Sequence, residues 1–183
     1  MFADNVEKVL ISEEEIVERC KQLGAQISKD YEGKQPMIIG LLKGSVPFLA
    51  ELIKYITVDC EIDFMAVSSY SGTESMGDVK IVKDLDHSIK GMDVLIIEDI
   101  VDTGKTLEKV KYMLYTKGAN DVKVASLLDK PDRRIVDIEA EYVGFVIPNE
   151  FVVGFGLDFE QKYRNLPYVG VLKEECYKQV NEQ

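Results

Sequence analysis

Three carboxylates stand beside a turn suited to anions in residues 94–106, VLIIEDIVDTGKT. The acids are Glu98, Asp99 and Asp102, and they follow four apolar residues that predict a buried strand. The turn is residues 103–106, Thr-Gly-Lys-Thr, in which Gly104 allows a sharp backbone bend. Backbone N–H groups, two hydroxyls and the dipole of the following helix would then cradle a phosphate.

The spacing of the glycines limits which phosphate ligand fits this turn. The P-loop of nucleoside triphosphatases needs a glycine five residues before Gly104, where this chain has Asp99. The segment GFGLDF also departs from the dinucleotide fingerprint, because Phe159 occupies the third glycine position. We therefore expect a single phosphate at the turn, with Glu98 and Asp99 near a vicinal diol or a divalent cation, as in a sugar phosphate. The alternative is a solvated acidic loop in which Asp102 only caps a helix.

Composition excludes several classes of protein. The chain of 183 residues, with 46% hydrophobic residues, is long enough for one domain with a buried core. A net charge of −11 disfavours nucleic acid as a partner, because phosphate backbones bind clustered cations. No apolar run reaches the ~18 residues of a membrane helix and the first residues are acidic, so we expect a cytoplasmic protein with no membrane partner. Three separated cysteines and one histidine argue against a disulfide framework, a catalytic thiol and a His/Cys metal site.

Alternating strand and helix patterns predict an α/β fold with a central, mostly parallel sheet flanked by helices. Strands are predicted at residues 37–42, 62–67, 79–82, 94–97, 122–128 and 142–147, and helices at residues 12–31, 45–58 and 103–117. Ser12 and Glu15 have the spacing of a capping box at the start of the first helix. Because ligands bind at the carboxyl ends of parallel strands, we expect the loops that follow residues 42, 67, 97, 128 and 147 to share one edge.

Residues 94–107 resemble the phosphoribosyl-pyrophosphate signature of the type I phosphoribosyltransferases. Further segments fall in the order of that family, and most closely of its purine-salvage branch: GLLKGS (40–45), SSYSGT (68–73), VASLLDK (124–130), IPNEFVVGFGLD (147–158) and KYRNLPYVGVL (162–172). The resemblance covers most of the chain from about residue 36 onward. It implies an enzyme that converts hypoxanthine or guanine and phosphoribosyl pyrophosphate (5-phospho-α-D-ribose 1-diphosphate) into IMP or GMP and pyrophosphate, with Mg²⁺ as cofactor.

The resemblance assigns the signature residues to the phosphorylated ribose. The 5′-phosphate would be bound by Asp102, Thr103, Gly104, Lys105 and Thr106. Glu98 and Asp99 would bind the ribose hydroxyls, directly or through Mg²⁺, and Asp158 would be a further metal ligand. Asp102 would also be the catalytic acid–base at the purine N7, where taking a proton leaves N9 electron-rich for attack on C1′.

The same resemblance assigns the remaining motifs to pyrophosphate and the base. Pyrophosphate would contact Leu42, Lys43, Gly44 and Arg164, and the family has a cis peptide bond between the first two. The base would contact Lys130, Phe151, Val152 and Asp158. Lys130 is a donor that suits a 6-oxo purine. Phe151 would stack on the ring, although its residue type fits a core aromatic equally well.

Two features of the resemblance concern a loop and a single position. Residues 68–78 are polar and contain glycines, so they predict a loop, in which Ser69 and Tyr70 would form a lid over the site; the alternative is a flexible surface loop with no role in closure. Asp129 stands where relatives often have an apolar residue, and it could pair with Lys130 or face the solvent.

The resemblance also implies a domain plan and an assembly. Residues 1–183 would form one domain, with a core of about residues 36–147 and a hood from about residue 148 to 183 plus part of the N-terminus. A homodimer or homotetramer would be expected. The alternative function is a non-catalytic regulator that keeps this fold to sense phosphoribosyl pyrophosphate. The acidic charge and the full set of pyrophosphate and base motifs favour the enzyme.

Overall fold

The computed structural model describes residues 2–69 and 79–178. The strands are β1 Val6–Ile11, β2 Met37–Leu41, β3 Glu61–Ser69, β4 Val79–Lys83, β5 Asp93–Val101, β6 Asp121–Asp129, β7 Tyr142–Val146, β8 Val152–Val153 and β9 Val169–Leu172. The α-helices are α1 Glu13–Asp30, α2 Val46–Leu52, α3 Lys105–Thr116 and α4 Glu174–Tyr177. Short 3₁₀ helices cover Phe2–Asn5, Ile53–Tyr55 and Pro131–Arg133.

The larger of two sheets has six strands in the order β4-β3-β2-β5-β6-β7. Five of these strands, β3, β2, β5, β6 and β7, are parallel to one another, and β4 pairs antiparallel with β3 at the edge. The predicted α/β fold with a mostly parallel sheet is therefore confirmed. Because parallel strands point the same way, β2, β5, β6 and β7 bring their carboxyl ends to one edge.

Both faces of this sheet are covered, as the apolar strand sequences predict. Ile38 and Leu95 point to the face that α1 and α2 cover, while Ile39 and Ile96 point to the face that α3 covers. Neighbouring residues of a strand face opposite sides, so apolar runs of this kind supply two cores at once. The helix α1 begins with the predicted capping box, in which Ser12 and Glu15 bond each other's backbone.

A second, three-stranded antiparallel sheet has the order β1-β9-β8. The sequence pattern does not predict strands in these segments. β1 is mostly exposed, and β8 has only two residues, so neither has the apolar pattern of a buried strand. The partner of β1 lies near the other end of the chain, with Val9 opposite Gly170, and β8 pairs with the same strand, with Val152 opposite Val171.

Several predicted boundaries were wrong. α2 ends at Leu52, where residues up to 58 were predicted to be helical, and the 3₁₀ helix Ile53–Tyr55 follows it. β5 continues to Val101, beyond the predicted end at residue 97, because its backbone stays paired with β6. Residues 68 and 69 end β3 and do not belong to a loop. Among the helices of the described ranges, none is long and apolar enough to cross a membrane.

Candidate active site

Two cavities open where the parallel strands end. The smaller, of about 130 Å³, is lined by Glu98, Ile100, Val101, Asp102, Gly104, Thr106 and Leu107. The larger, of about 370 Å³, is lined by Ile100, Asp102, Lys130, Arg133, Asn149, Glu150, Phe151, Val152, Leu157 and Tyr177. Both cavities touch Ile100 and Asp102, so they are neighbours on either side of the residues that end β5.

The smaller cavity lies at the turn that the sequence identified as an anion site. Gly104 is the N-cap of α3 and has a φ of 85°, in the left-handed region that favours glycine. A Cβ there would lie 2.6 Å from Ile138, so the close packing also requires glycine. Thr106 is exposed in the first turn of α3 and lines the cavity, while Thr103 and Lys105 flank Gly104.

Asp102 is not a helix cap. The N-cap of α3 is Gly104, and no side chain caps the helix. The Asp102 carboxylate instead lines both cavities, with about two-fifths of the side chain (41%) exposed. It is therefore available to a ligand that reaches either cavity.

Glu98 and Asp99 are consecutive residues near the end of β5. Glu98 lines the smaller cavity, and the Asp99 carboxylate lies against Gly44 in the loop after β2. Burial raises the pKa of the Asp99 carboxyl to about 6, and the charge of Asp158 raises it further, while Ile100 N–H and Arg164 oppose the shift. Burial and the charge of Asp99 raise the pKa of Glu98 well above its ordinary value. Burial therefore makes it costly to keep both carboxylates ionised at this position.

This acidic pair fits part of a magnesium site. Mg²⁺ is commonly bound by one or two carboxylates together with substrate phosphate oxygens. Within residues 2–69 and 79–178, no group of three or more His, Cys, Asp and Glu side chains is arranged to hold a metal. Asp158 instead pairs with Arg164, with 2.7 Å between Oδ1 and Nη2. The structure therefore does not assemble Glu98, Asp99 and Asp158 into a single three-carboxylate site.

The loop after β2 packs closely against the acidic pair. The Leu42–Lys43 peptide bond is cis, as the family resemblance implied. A Cβ on Gly44 would lie 1.6 Å from Asp99 Oδ2, so only glycine fits at this position. The segment after β8 packs closely against the same loop. A Cβ on Gly156 would lie 1.9 Å from the Gly44 carbonyl oxygen, so this contact also requires glycine.

Two cations converge on one acceptor beside this loop. The amide oxygen of Gln161 lies 3.4 Å from Lys43 Nζ and 3.3 Å from Arg164 Nη2. Arg164 also donates to the Gly156 carbonyl at 2.7 Å. Lys43 and Arg164 are far apart in sequence, so this arrangement brings together the two cations assigned to pyrophosphate.

The larger cavity contains three of the four residues assigned to the base. Lys130 is buried, and its Nζ donates to the Glu150 carbonyl at 2.6 Å. Burial lowers the pKa of Lys130, while Asp102 opposes that shift. Val152 lines the cavity as well. Asp158 does not line the cavity, but the preceding residue, Leu157, does.

Phe151 is not a core aromatic. It is 38% exposed and lines the larger cavity. Its ring stacks on Tyr177 with centroids 4.8 Å apart, and the edge contact with Phe159 is at 5.6 Å. These contacts fix the ring while part of its surface stays open to a ligand.

Two consecutive arginines near Asp102 were missed in the sequence analysis. Arg133 Nε donates to Asp102 Oδ1 at 2.6 Å, and Arg134 Nε donates to the Asp102 carbonyl at 3.1 Å. Arg134 also forms an ion pair with Asp129. The expectation that Asp129 pairs with Lys130 or faces the solvent was wrong. The available signal was the Arg-Arg pair three residues after Lys130.

The predicted lid is the remaining candidate. The side chain of Ser69 and all of Tyr70 lie outside the described residues, so the expected contacts of the lid stay a prediction.

The arrangement of an anion turn after a parallel strand, an acidic pair and a neighbouring aromatic cavity defines a class of proteins. A family model for the phosphoribosyl transferase domain matches residues 10–160. The chain is 62% identical over 173 residues to the hypoxanthine-guanine phosphoribosyltransferase of Lactococcus lactis, covering 94% of each. It is 58% identical to the enzyme of that name from Streptococcus mutans, covering 97% of this chain and 99% of that one.

The structural comparison agrees. The crystal structure of a hypoxanthine phosphoribosyltransferase from Staphylococcus aureus has a TM-score of 0.92 and 54% identity, and the match covers 96% of both chains. The chain belongs to the hypoxanthine-guanine phosphoribosyltransferase family.

Proposed function

We propose that this protein is a purine-salvage transferase that joins hypoxanthine or guanine to phosphoribosyl pyrophosphate, giving IMP or GMP and pyrophosphate. The observation that carries the proposal is the pair of cavities that meet at Ile100 and Asp102. One nucleotide would place its phosphate in the smaller cavity and its base in the larger one. The family membership of the chain supports the same reaction.

The 5′-phosphate would lie at the start of α3. Backbone N–H groups of residues 103–106 and the hydroxyls of Thr103 and Thr106 would donate to it, helped by the helix dipole. Asp102 and Lys105 complete the set of residues proposed at the phosphate. The left-handed Gly104 supports this role, since it lets the backbone turn closely around an anion.

Glu98 and Asp99 would bind the ribose hydroxyls and the cofactor. Burial and nearby acids raise the pKa values of both carboxyls, and a bound cation would favour their ionised forms. When bound there, Mg²⁺ would neutralise part of the charge on pyrophosphate and make it a better leaving group. Asp158 would be a further ligand, and any contact with the metal would compete with its present partners, Arg164 at Oδ1 and the Gln161 N–H at Oδ2.

Pyrophosphate would replace the Gln161 amide oxygen as the partner of Lys43 and Arg164. Leu42 and Gly44 would contribute backbone contacts from the loop after β2. The base would stack on Phe151, with Lys130 leaving the Glu150 carbonyl to donate to the 6-oxo group. Adenine has a 6-amino donor, so it would leave Lys130 without an acceptor.

Asp102 would accept the proton from N7 of the base. As that proton leaves, the N9 lone pair forms the bond to C1′, and the bond from C1′ to the pyrophosphate oxygen breaks. The electron pair of that bond leaves with pyrophosphate. The exposed carboxylate between the two cavities supports this assignment.

The domain plan and the cellular setting are part of the same proposal. The small sheet of β1, β8 and β9 would be the hood over a core that contains the six-stranded sheet. A homodimer or homotetramer in the cytoplasm is proposed from the family alone, and sedimentation analysis would measure the assembly.

The experiment is a transfer assay on the purified protein with hypoxanthine, phosphoribosyl pyrophosphate and Mg²⁺. We expect IMP and pyrophosphate in equal amounts, GMP from guanine, no product from adenine, and loss of turnover in excess chelator. A non-catalytic regulator would bind phosphoribosyl pyrophosphate but release no pyrophosphate with any base. That outcome, or full activity in chelator, would contradict the proposal.

A further inference from the structure

Arg133 is placed where it contacts both the base cavity and the proposed acid–base. It is the last residue of the 3₁₀ helix Pro131–Arg133, and its N–H donates to the Lys130 carbonyl at 3.1 Å. This turn directs Lys130 and Arg133 to the lining of the same 370 Å³ cavity. One short turn therefore carries both the proposed base-reading lysine and a second cation.

The contact between Arg133 and Asp102 is short and partly open to solvent. Nε lies 2.6 Å from Oδ1, and the two side chains are 44% and 41% exposed. Exposed ion pairs add little to folding stability, because water screens them and two side chains lose freedom. The main consequence of this pair is therefore the orientation that it gives to the carboxylate.

The neighbouring arginine has a different task. Arg134 is only 14% exposed, and it binds the Asp102 carbonyl, the Asp129 carboxylate and the Ile138 carbonyl. It holds the backbone of the turn that leads into α3. Asp102 is thus fixed at its backbone by Arg134 and at its side chain by Arg133, and the two effects can be separated by mutation.

We propose that Arg133 is a positioning residue that holds Oδ1 of Asp102, so that the second oxygen, Oδ2, meets the N7 proton of the base. The inference rests on the proposed function of Asp102. In the transfer step the N7 proton moves to Oδ2, N9 bonds to C1′, and pyrophosphate leaves with its electron pair. Arg133 keeps all its protons and acts only by orientation, for which its planar, rigid donor group is suited.

The first test is a pair of substitutions measured by steady-state kinetics. Arg133→Met keeps much of the length but removes the donor, and we expect kcat to fall roughly tenfold or more, since small misplacements of a reacting group are costly. The KM for phosphoribosyl pyrophosphate should stay within about twofold, because the phosphate turn keeps Arg134. Arg133→Lys retains a charged donor and should recover a large part of kcat.

The second test asks whether Arg133 acts through Asp102. Asp102→Asn removes the proton acceptor, so adding Arg133→Met to it should lower kcat little further if the two residues work as a unit. The matched control is Lys117→Met, which breaks another solvent-exposed ion pair, to Asp84 at 2.7 Å, away from both cavities. It should keep the wild-type kcat, and thermal melting should show that all variants are folded.

The outcomes separate this inference from the proposed function. A wild-type protein that makes no nucleotide would overturn the proposed function. An active wild type with Arg133→Met at the wild-type kcat would overturn the inference alone. An equal loss from Arg133→Met with and without Asp102→Asn would also overturn it, because Arg133 would then act independently of Asp102.

Discussion

At the scale of single residues, the acidic pair of β5 is costly to keep ionised in the ligand-free protein. Burial raises the pKa of Asp99 to about 6 and raises that of Glu98 as well. A carboxyl group with a raised pKa binds its proton more tightly in the folded chain than in the unfolded one. Its contribution to stability is present below the ordinary pKa of an aspartate and is lost as the pH rises through about 6.

The first prediction concerns that pH dependence in the metal-free protein. Asp99→Asn should melt several degrees above wild type at pH 8, because a shift of two pKa units corresponds to roughly 3 kcal/mol and a domain of this size gains about 2–4 °C per kcal/mol. The difference should narrow toward pH 4. Differential scanning calorimetry in excess chelator measures it.

The matched control is Asp84, whose pKa is shifted in the opposite direction to that of Asp99. The hydrogen bond from Lys117 lowers the pKa of Asp84, so stability from that group is lost as the pH falls. Asp84→Asn should therefore give no gain at pH 8. Equal melting temperatures of Asp99→Asn and wild type at every pH would contradict the account of the acidic pair.

A second prediction concerns the proposed phosphate turn. Thr106→Val removes one hydroxyl and keeps the side-chain shape, so the affinity for IMP should fall by roughly 1–2 kcal/mol, the range for a hydrogen bond to a charged group. Titration calorimetry measures the loss. Thr116→Val makes the same change at the other end of α3, where the hydroxyl donates to the Tyr112 carbonyl, and should bind IMP normally. Similar affinities for the two variants would show that the turn does not hold the phosphate.

The sequence predicted those residues that carry a local signal. The acidic pair and the phosphate turn lie within a few residues of one another, so their proximity needed no knowledge of the fold. The contact of Arg133 with Asp102 joins two residues that follow different strands, and it depends on β6 ending beside β5, with Val101 opposite Asp129. No local pattern contains that register.

At the scale of elements, pairing with neighbours decided where strands begin and end. β5 was predicted to stop before its acids, because carboxylates are rare inside strands. The strand continues because Glu98 lies opposite Ser126 and Ile100 lies opposite Leu128 in β6. The small sheet was missed for the same reason, since its strands depend on pairing with β9, and for β1 this partner lies near the other end of the chain.

A third prediction concerns the loop after β2. Gly44→Ala places a methyl group on Asp99 Oδ2, so either the loop or the carboxylate must move. We expect transfer activity to fall at least about a hundredfold, because displacement of groups by an ångström is enough for such losses. The transfer assay measures the activity, and circular dichroism checks that the variant is folded.

Gly33→Ala is the control for that substitution. Gly33 has a φ of 75°, but a Cβ there meets nothing within 4 Å. It should cost about 1 kcal/mol of stability from backbone strain and leave the activity unchanged. Full activity of Gly44→Ala would show that close contact between this loop and Asp99 is unnecessary.

At the scale of the whole molecule, distant parts of the chain converge on one edge of the large sheet. Lys8 of β1 pairs with Glu150 at 2.7 Å, and the Asn5 amide donates to the Tyr163 hydroxyl at 3.0 Å. The N-terminal segment therefore supports both the base cavity and the segment that carries Arg164. In the proposed function, one nucleotide would use this convergence to contact the phosphate turn, the acidic pair and the aromatic cavity.

The central claim is that a single nucleotide spans the two cavities, and a crystal structure of the protein with IMP tests it most directly. We predict the phosphate against the backbone N–H groups of residues 103–106 and the purine against Phe151. Lys130 should be on the 6-oxo group and Asp102 at N7. A phosphate bound away from the start of α3, or a base outside the 370 Å³ cavity, would contradict the account.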